Sequence, residues 1–290
     1  MHLLIFIATF CWATNIIAGK EAVRSLGTLA LAQMRVSGAA AIYAVLFLAW
    51  RRRPSLRLSR HEWSFLGLAA LFGITLNQIF FIGGLARTSA AHTGLIVALG
   101  PVMVLTLSRL MHLEALTLWK SMGVAVSFCG VAVLTIGKAA QGSGAHWQGD
   151  LLAVVGSAVF AYYTILMKEA ADRYDTLTLN TIIFTLGAVL MLPFTARELL
   201  AIRWSAMPTV AWWGLAYMVI PGSVLAYLLF AFVLTELAPS RVAAFNYLQP
   251  LIAISLGVWM LGEKVTHSLV AGGVLILAGL YLTERENSEL

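Results

Sequence analysis

The feature that most constrains this chain is that it repeats itself. Shifted back by 149 positions, Pro250 falls on Pro101, Leu248 on Leu99, Leu256 on Leu107, Met260 on Met111 and Glu263 on Glu114. At the same offset, or one less, Lys168-Glu169-Ala170 repeats Lys20-Glu21-Ala22, and Thr176-Leu177 repeats Thr28-Leu29. Gly272 and Gly279 likewise repeat Gly123 and Gly130. Two copies of one pattern imply two copies of one structural unit.

Composition says what solvent those units face. Of 290 residues, 60% are hydrophobic and 11% charged, against about 25% charged in a soluble domain. The apolar residues fall in runs of roughly twenty, the length a helix needs to cross a bilayer. Ten such spans are predicted, at 2–19, 28–50, 63–86, 90–111, 118–137, 149–167, 176–196, 209–235, 239–261 and 266–284. The connections are short and polar, and none can hold a soluble domain. The expected fold is therefore an all-α integral membrane protein of ten transmembrane helices, built from a first repeat at 1–137 and a second at 149–284. Five spans per repeat is an odd number, so the second copy enters the membrane from the opposite side and the repeats are inverted.

Lys and Arg orient the chain. Arg51, Arg52, Arg53, Arg57 and Arg60 follow the second span, and the excess of basic residues on that side places both termini in the cytoplasm of a multi-pass protein of the bacterial inner membrane. The N-terminus has no basic n-region and no small-residue cleavage site, so the first span is expected to be retained. Net charge is +6, carried mostly by short loops; no basic patch suited to nucleic acid is present. Cys11 and Cys129 lie inside apolar segments and suit neither a disulfide nor a metal site. No cofactor and no metal is expected.

Two prolines inside apolar spans suggest hinges. Pro101 and Pro250 cannot donate to the carbonyls of Val97 and Asn246, and a carbonyl left unpaired in hydrocarbon costs several kcal/mol. Matched breaks at a repeat are where transporters place their cavities; the plainer reading is two kinks in packed helices.

These residues carry a family resemblance. Trp12-Ala-Thr-Asn15 in the first span, Leu248-Gln-Pro250 followed by Leu261-Gly262-Glu263, and the weaker Leu99-Gly-Pro101 with Leu113-Glu114 resemble the EamA-type family of the drug/metabolite transporter superfamily. His112 stands before a Leu where the family has Leu-Gly-Glu. Within that family the chain is similar to amino-acid exporters, the aromatic type (YddG) above all. The resemblance implies export by alternating access, with four helices of each half around a midplane cavity and the fifth and tenth behind.

The candidate substrate contacts are Trp12, Asn15, Asn77, Gln78, Phe81, Tyr163, Asn246 and Gln249. Trp12 and Asn15 are three apart, as are Asn246 and Gln249, so each pair shares a helix face. Amides facing lipid would strand their polar atoms, and apolar walls with a few placed polar groups describe a small-molecule site; interhelical glue is the competing reading. Arg35 is the one charge well inside a span. It is a possible contact for a substrate carboxylate, or it snorkels outward or pairs with Glu21. His92, opening the fourth span, is a weaker candidate for a titrating role.

The thirteen Asp and Glu residues fall at span ends or in loops, which points to facilitated or weakly coupled export. No P-loop, HExxH or intramembrane Ser/His constellation is present, so the chain is not expected to be an enzyme. An intramembrane enzyme, a scaffold, or a transporter of drugs or nucleotide sugars are the alternatives. The expected partners are a small-molecule substrate and the bilayer. Gly123 and Gly130, and Gly272 and Gly279, form stripes of small residues suited to packing of spans five and ten. The chain is expected to be a monomer or weak homodimer.

Overall fold

The structure is a computed structural model that describes residues 1–50, 58–85, 87, 96, 98–139, 147–202, 204–261 and 267–285. Its helical segments fall into ten successive spans. These are α1 (His2–Leu26), α2 (Thr28–Ala49), α3, α4 (Gly100–Leu110), α5 (Leu118–Ala139), α6 (Trp147–Ala171), α7 (Thr176–Leu200), α8, α9 and α10 (His267–Arg285). Three spans are interrupted. α3 runs Arg60–Ala70, widens to a π-helix over Leu71–Leu76 and resumes at Asn77–Leu85. α8 runs Thr209–Val219, widens over Ile220–Leu225 and resumes at Ala226–Glu236. α9 runs Pro239–Ala244, tightens to 3₁₀ over Phe245–Tyr247 and continues as Leu248–Leu261. The protein is all-α, and among the described residues five helices are long and apolar enough to cross a membrane. Large apolar side chains such as Leu48, Val189, Phe194, Trp213 and Val274 are exposed, as lipid-facing positions are.

Helix ends follow local chemistry. α1 extends past the predicted 19 to Leu26 because nothing breaks it before Gly27, whose φ of 75° suits glycine. α3 opens on a capping box: Glu62 N–H donates to Ser59 Oγ, and Ser59 N–H donates to Glu62 Oε2. Glu198, near the end of α7, accepts from Leu29 N at 3.0 Å and Ala30 N at 3.1 Å, satisfying donors at the start of α2.

The chain forms two compact units, and each draws on both halves of the sequence. The first comprises Met1–Ile79 and Leu166–Glu236, the second Phe80–Ile165 and Leu237–Leu290. In the first unit α2 packs along α7 and α1 along α8, around a core of Ala22, Leu26, Leu31, Ala211, Leu215 and Val219. In the second, α5 packs along α10 and α4 against the start of α9.

In each unit a pair of packed helices related by the 149-residue shift runs antiparallel, α2 with α7 in the first and α5 with α10 in the second. Leu29 meets Glu198, whereas Tyr43, further along α2, lies against Phe184, earlier in α7. Gly123 meets Gly279, and Gly130 meets Gly272. The α5–α10 contact is backbone on backbone: a Cβ at Gly123 would lie 2.6 Å from the Gly279 carbonyl oxygen, and one at Gly130 would lie 2.8 Å from that of Gly272. Ser127 Oγ donates across the same seam to Ile276 O at 3.2 Å. The glycine stripes face each other.

Candidate functional site

The polar centre of the first unit is the π-helical turn of α8. A π turn shifts the i→i−4 ladder and leaves carbonyls that need other donors. Here they are met by side chains. Ser223 Oγ donates to Met218 O at 2.9 Å. Tyr43 OH donates to Val224 O at 2.7 Å, Trp12 Nε1 donates to Gly222 O at 3.2 Å, and Arg35 Nη2 reaches Gly222 O at 3.4 Å. Arg35 Nε donates to Ser223 Oγ at 2.6 Å. Asn15 is buried, and its carboxamide lies directly over Gly222, where a Cβ would fall 2.5 Å from Asn15 Oδ1. Only glycine fits beneath that amide. Among the described residues Asn15 Oδ1 finds no hydrogen-bond donor.

Aromatic rings wall this centre. Trp12 lies 5.4 Å from both Tyr227 and Phe230, Tyr227 meets Phe184 edge-on at 5.0 Å, and Phe184 meets Tyr43 at 5.2 Å. Trp12 is thus braced by α8 on one side, with its indole N–H spent on Gly222. Thr14 and Tyr217 share a 2.6 Å hydroxyl contact one turn away.

The structure brings together Trp12, Asn15 and Arg35, which the sequence names as candidates from two different spans. Arg35 turns its guanidinium onto α8 rather than toward an end of α2; the Glu21 side chain, its other proposed partner, lies outside the described residues. Asn77 and Gln78 also belong to the first unit, directly after the π turn of α3, with Gln78 buried.

Phe81, Tyr163, Asn246, Gln249, Pro101 and Pro250 belong to the second unit. Tyr163 is fully buried, 5.7 Å from the Phe160 ring, and the backbone of Phe81 lies against Gly156. Gln249 Nε2 donates to Asn246 Oδ1 at 3.0 Å. The two prolines differ from their predicted settings. Pro101 stands in the first turn of α4, where its missing N–H is no loss. Pro250 stands in the first turn of the resumed helix of α9, so the irregularity comes ahead of it, in the 3₁₀ turn. Val97, His92 and Glu263 lie outside the described residues.

Several residues have contacts that the sequence did not reveal. Glu114 accepts from Ser240 N at 3.0 Å and from Ser240 Oγ, and pairs with Lys120 at 3.2 Å. It thereby satisfies the opening of α9. Lys168 Nζ donates to Leu234 O at 2.8 Å, near the end of α8. Ser223, Tyr43 and Tyr227 were missed, and Pro221-Gly222 reads in the sequence as no more than a bend of the eighth span, although a fuller signal existed: LFGITL at 71–76 and IPGSVL at 220–225 align at the 149 offset, with Gly73 on Gly222.

Ten helical spans, one of them, α8, with a polar turn away from its ends, describe a multi-pass membrane protein. The chain belongs to the EamA-like transporter family, whose description it matches over residues 1–136 and again over 147–285. It is 32% identical to an uncharacterized transporter of Archaeoglobus fulgidus, over 97% of this chain and 96% of that one. It is 29% identical to the uncharacterized transporter YvbV of Bacillus subtilis, over 98% and 92%. A WAT1-related protein of Arabidopsis thaliana is 26% identical over 81% of this chain and 71% of its own length. A crystal structure at 20% identity shares the fold, with a TM-score of 0.81 over 99% of this chain and 97% of that one. None of these names states a substrate, and the aromatic-exporter subgroup draws no support from them.

Proposed function

We propose that this transporter exports amino acids, those with apolar side chains foremost, by alternating access. The carrying observation is the convergence of Trp12, Asn15 and Arg35 on the π turn of α8, in a unit whose walls are otherwise apolar and aromatic. Polar groups are costly in such a place unless something uses them. Asn77, Gln78, Asn246 and Gln249 supply further amides beside irregular turns, where a substrate's polar atoms find partners.

The inverted arrangement of the repeats at 1–137 and 149–284 rests on the double family match and on the antiparallel course of α2 with α7 and of α5 with α10. Both termini then face the cytoplasm of a bacterial inner membrane. Transport is facilitated or weakly coupled: among the described residues the acidic side chains sit at helix ends, as Asp150, Glu169, Asp175, Glu198 and Glu236 do. Purified protein in liposomes should carry labelled amino acids down their gradients. A panel of amino acids, drugs and nucleotide sugars in competition would identify the class, and flux inhibited only by nucleotide sugars or drugs would overturn the amino-acid reading.

A further inference from the structure

We infer that Arg35 and Asn15 together form a subsite for an α-amino carboxylate, with the guanidinium taking the carboxylate and the Asn15 carboxamide oxygen taking the ammonium. The inference rests on the export reading above and names the groups that do the recognising.

Arg35 is a cation within a membrane-spanning unit, and among the described residues it forms no ion pair. Its two recorded hydrogen bonds go to neutral groups, Ser223 Oγ and Gly222 O. Those bonds use Nε and one hydrogen of Nη2. The end-on edge, Nη1 with the second hydrogen of Nη2, is left over, and that edge matches a carboxylate with two parallel N–H···O bonds. A neutral hydroxyl and a carbonyl at 3.4 Å are weak compensation for a guanidinium in low dielectric; a carboxylate compensates it fully.

Asn15 is the second observation, from a different helix. It is 8% exposed, and among the described residues its Oδ1 has no donor. A buried acceptor without a partner costs about 1–3 kcal/mol, and its position over Gly222 puts it beside the peptide that Arg35 touches. A carboxylate on Arg35 carries its α-ammonium a few ångströms away, which is the donor Asn15 lacks. Trp12 fixes the same peptide from α1, so the subsite is held by α1, α2 and α8 of one unit. Its chemistry excludes simple amines, which bring a second cation to Arg35, and disfavours deaminated acids, which leave Asn15 unpaired.

The test is competition against labelled amino-acid flux in proteoliposomes, using phenylalanine, phenethylamine and 3-phenylpropionate. In the wild type, phenylalanine should compete at least about tenfold better than either analogue, the loss expected for one unpaired buried group. Arg35→Gln and Arg35→Lys should erase the preference over phenethylamine, and Asn15→Leu should erase the preference over 3-phenylpropionate. Ser223→Ala removes the hydroxyl that holds Arg35 but not the subsite, so it should keep both preferences even where the rate falls. Equal competition by phenethylamine in the wild type would overturn the inference and leave the export reading standing. So would an Arg35→Gln variant with slower flux and wild-type preferences, which would make Arg35 a brace for the π turn alone. Absence of flux for every amino acid would instead remove the export reading.

Discussion

Gly279→Ala tests the close backbone contact between α5 and α10. The added carbon would fall 2.5 Å from the Gly123 carbonyl oxygen and 2.5 Å from the Ser127 nitrogen, and against Ser127 Oγ. Ordinary contacts of such a carbon begin at 3.4 Å. Two of the three obstacles are backbone and cannot rotate away, so α5 and α10 must part by about 1 Å, and contacts along the seam lose a sizeable fraction of their dispersion energy. Overpacking of this kind costs about 1–3 kcal/mol, with the upper end expected where backbone is the obstacle. Alanine returns about 0.5–1 kcal/mol through its better helix propensity. The net loss is about 2 kcal/mol, or about thirtyfold in the folded-to-unfolded ratio. Unfolding in detergent micelles, followed by tryptophan fluorescence, reads this directly. Gly67→Ala in α3 is the control, because nothing lies within 4 Å of the carbon it adds. The double variant Gly123→Ala/Gly279→Ala should lose less than the two singles combined, since one separation of the helices relieves both clashes. A Gly279→Ala protein as stable as Gly67→Ala would refute the argument.

Three other expectations can be checked with the same material. Glu198→Ala leaves the Leu29 and Ala30 amides without their carboxylate and should destabilise the protein by about 1–2 kcal/mol, measured by thermal unfolding; Glu198→Gln, which keeps one acceptor oxygen, should lose less. Asn246→Ala breaks the 3.0 Å bond to Gln249 at the irregular turn of α9 and should cut flux severalfold while membrane protein levels hold; unchanged flux would detach that amide pair from transport. An imposed pH gradient should not drive substrate uphill in vesicles, because the described acids lie at helix ends; accumulation against a gradient would show a proton-coupled carrier.

Much of the architecture was legible because a bilayer makes strong demands on sequence. Twenty apolar residues in a row have few alternatives to a spanning helix, and small residues spaced seven apart, as Gly123 and Gly130 are, have to face something close. Trp12 and Asn15 were legible because polar atoms cannot face acyl chains. The π turns were not: Gly73 looks like an ordinary small residue in an apolar helix, Pro221-Gly222 signals a bend but not its kind, and a one-residue bulge changes no hydropathy pattern. Nor was the direction of the Arg35 side chain, since a long flexible cation two turns into a span can snorkel as readily as it can cross to a neighbour. Glu114 and Glu198 read as loop or end charges. Their roles depend on which helix N-terminus comes near, a tertiary fact.

The repeat explains why the polar centre lies where it does and why there is one of it in the first unit. Its two π turns occupy equivalent positions, and each is approached by an equivalent glycine. A Cβ at Gly38 of α2 would lie 3.0 Å from Val219, one residue before the turn in α8, and a Cβ at Gly187 of α7 would lie 2.6 Å from Ile74, inside the turn in α3. The frame is therefore duplicated, but its decoration is not. At the 149 offset Arg35 corresponds to Phe184, Asn15 to Thr164, Tyr43 to Leu192 and Ser223 to Ile74. The turn in α3 is seated by Ile74 against Gly187 and by the Thr75 hydroxyl on Gly187 O at 3.3 Å, while the turn in α8 collected a guanidinium, a carboxamide and a phenol. A π turn was useful to both copies as a joint, because it lets a helix pass close to a glycine face. In α8 the displaced carbonyls anchor polar side chains, and on the export reading proposed above it is that divergence between twins, rather than the shared joint, that a substrate would meet.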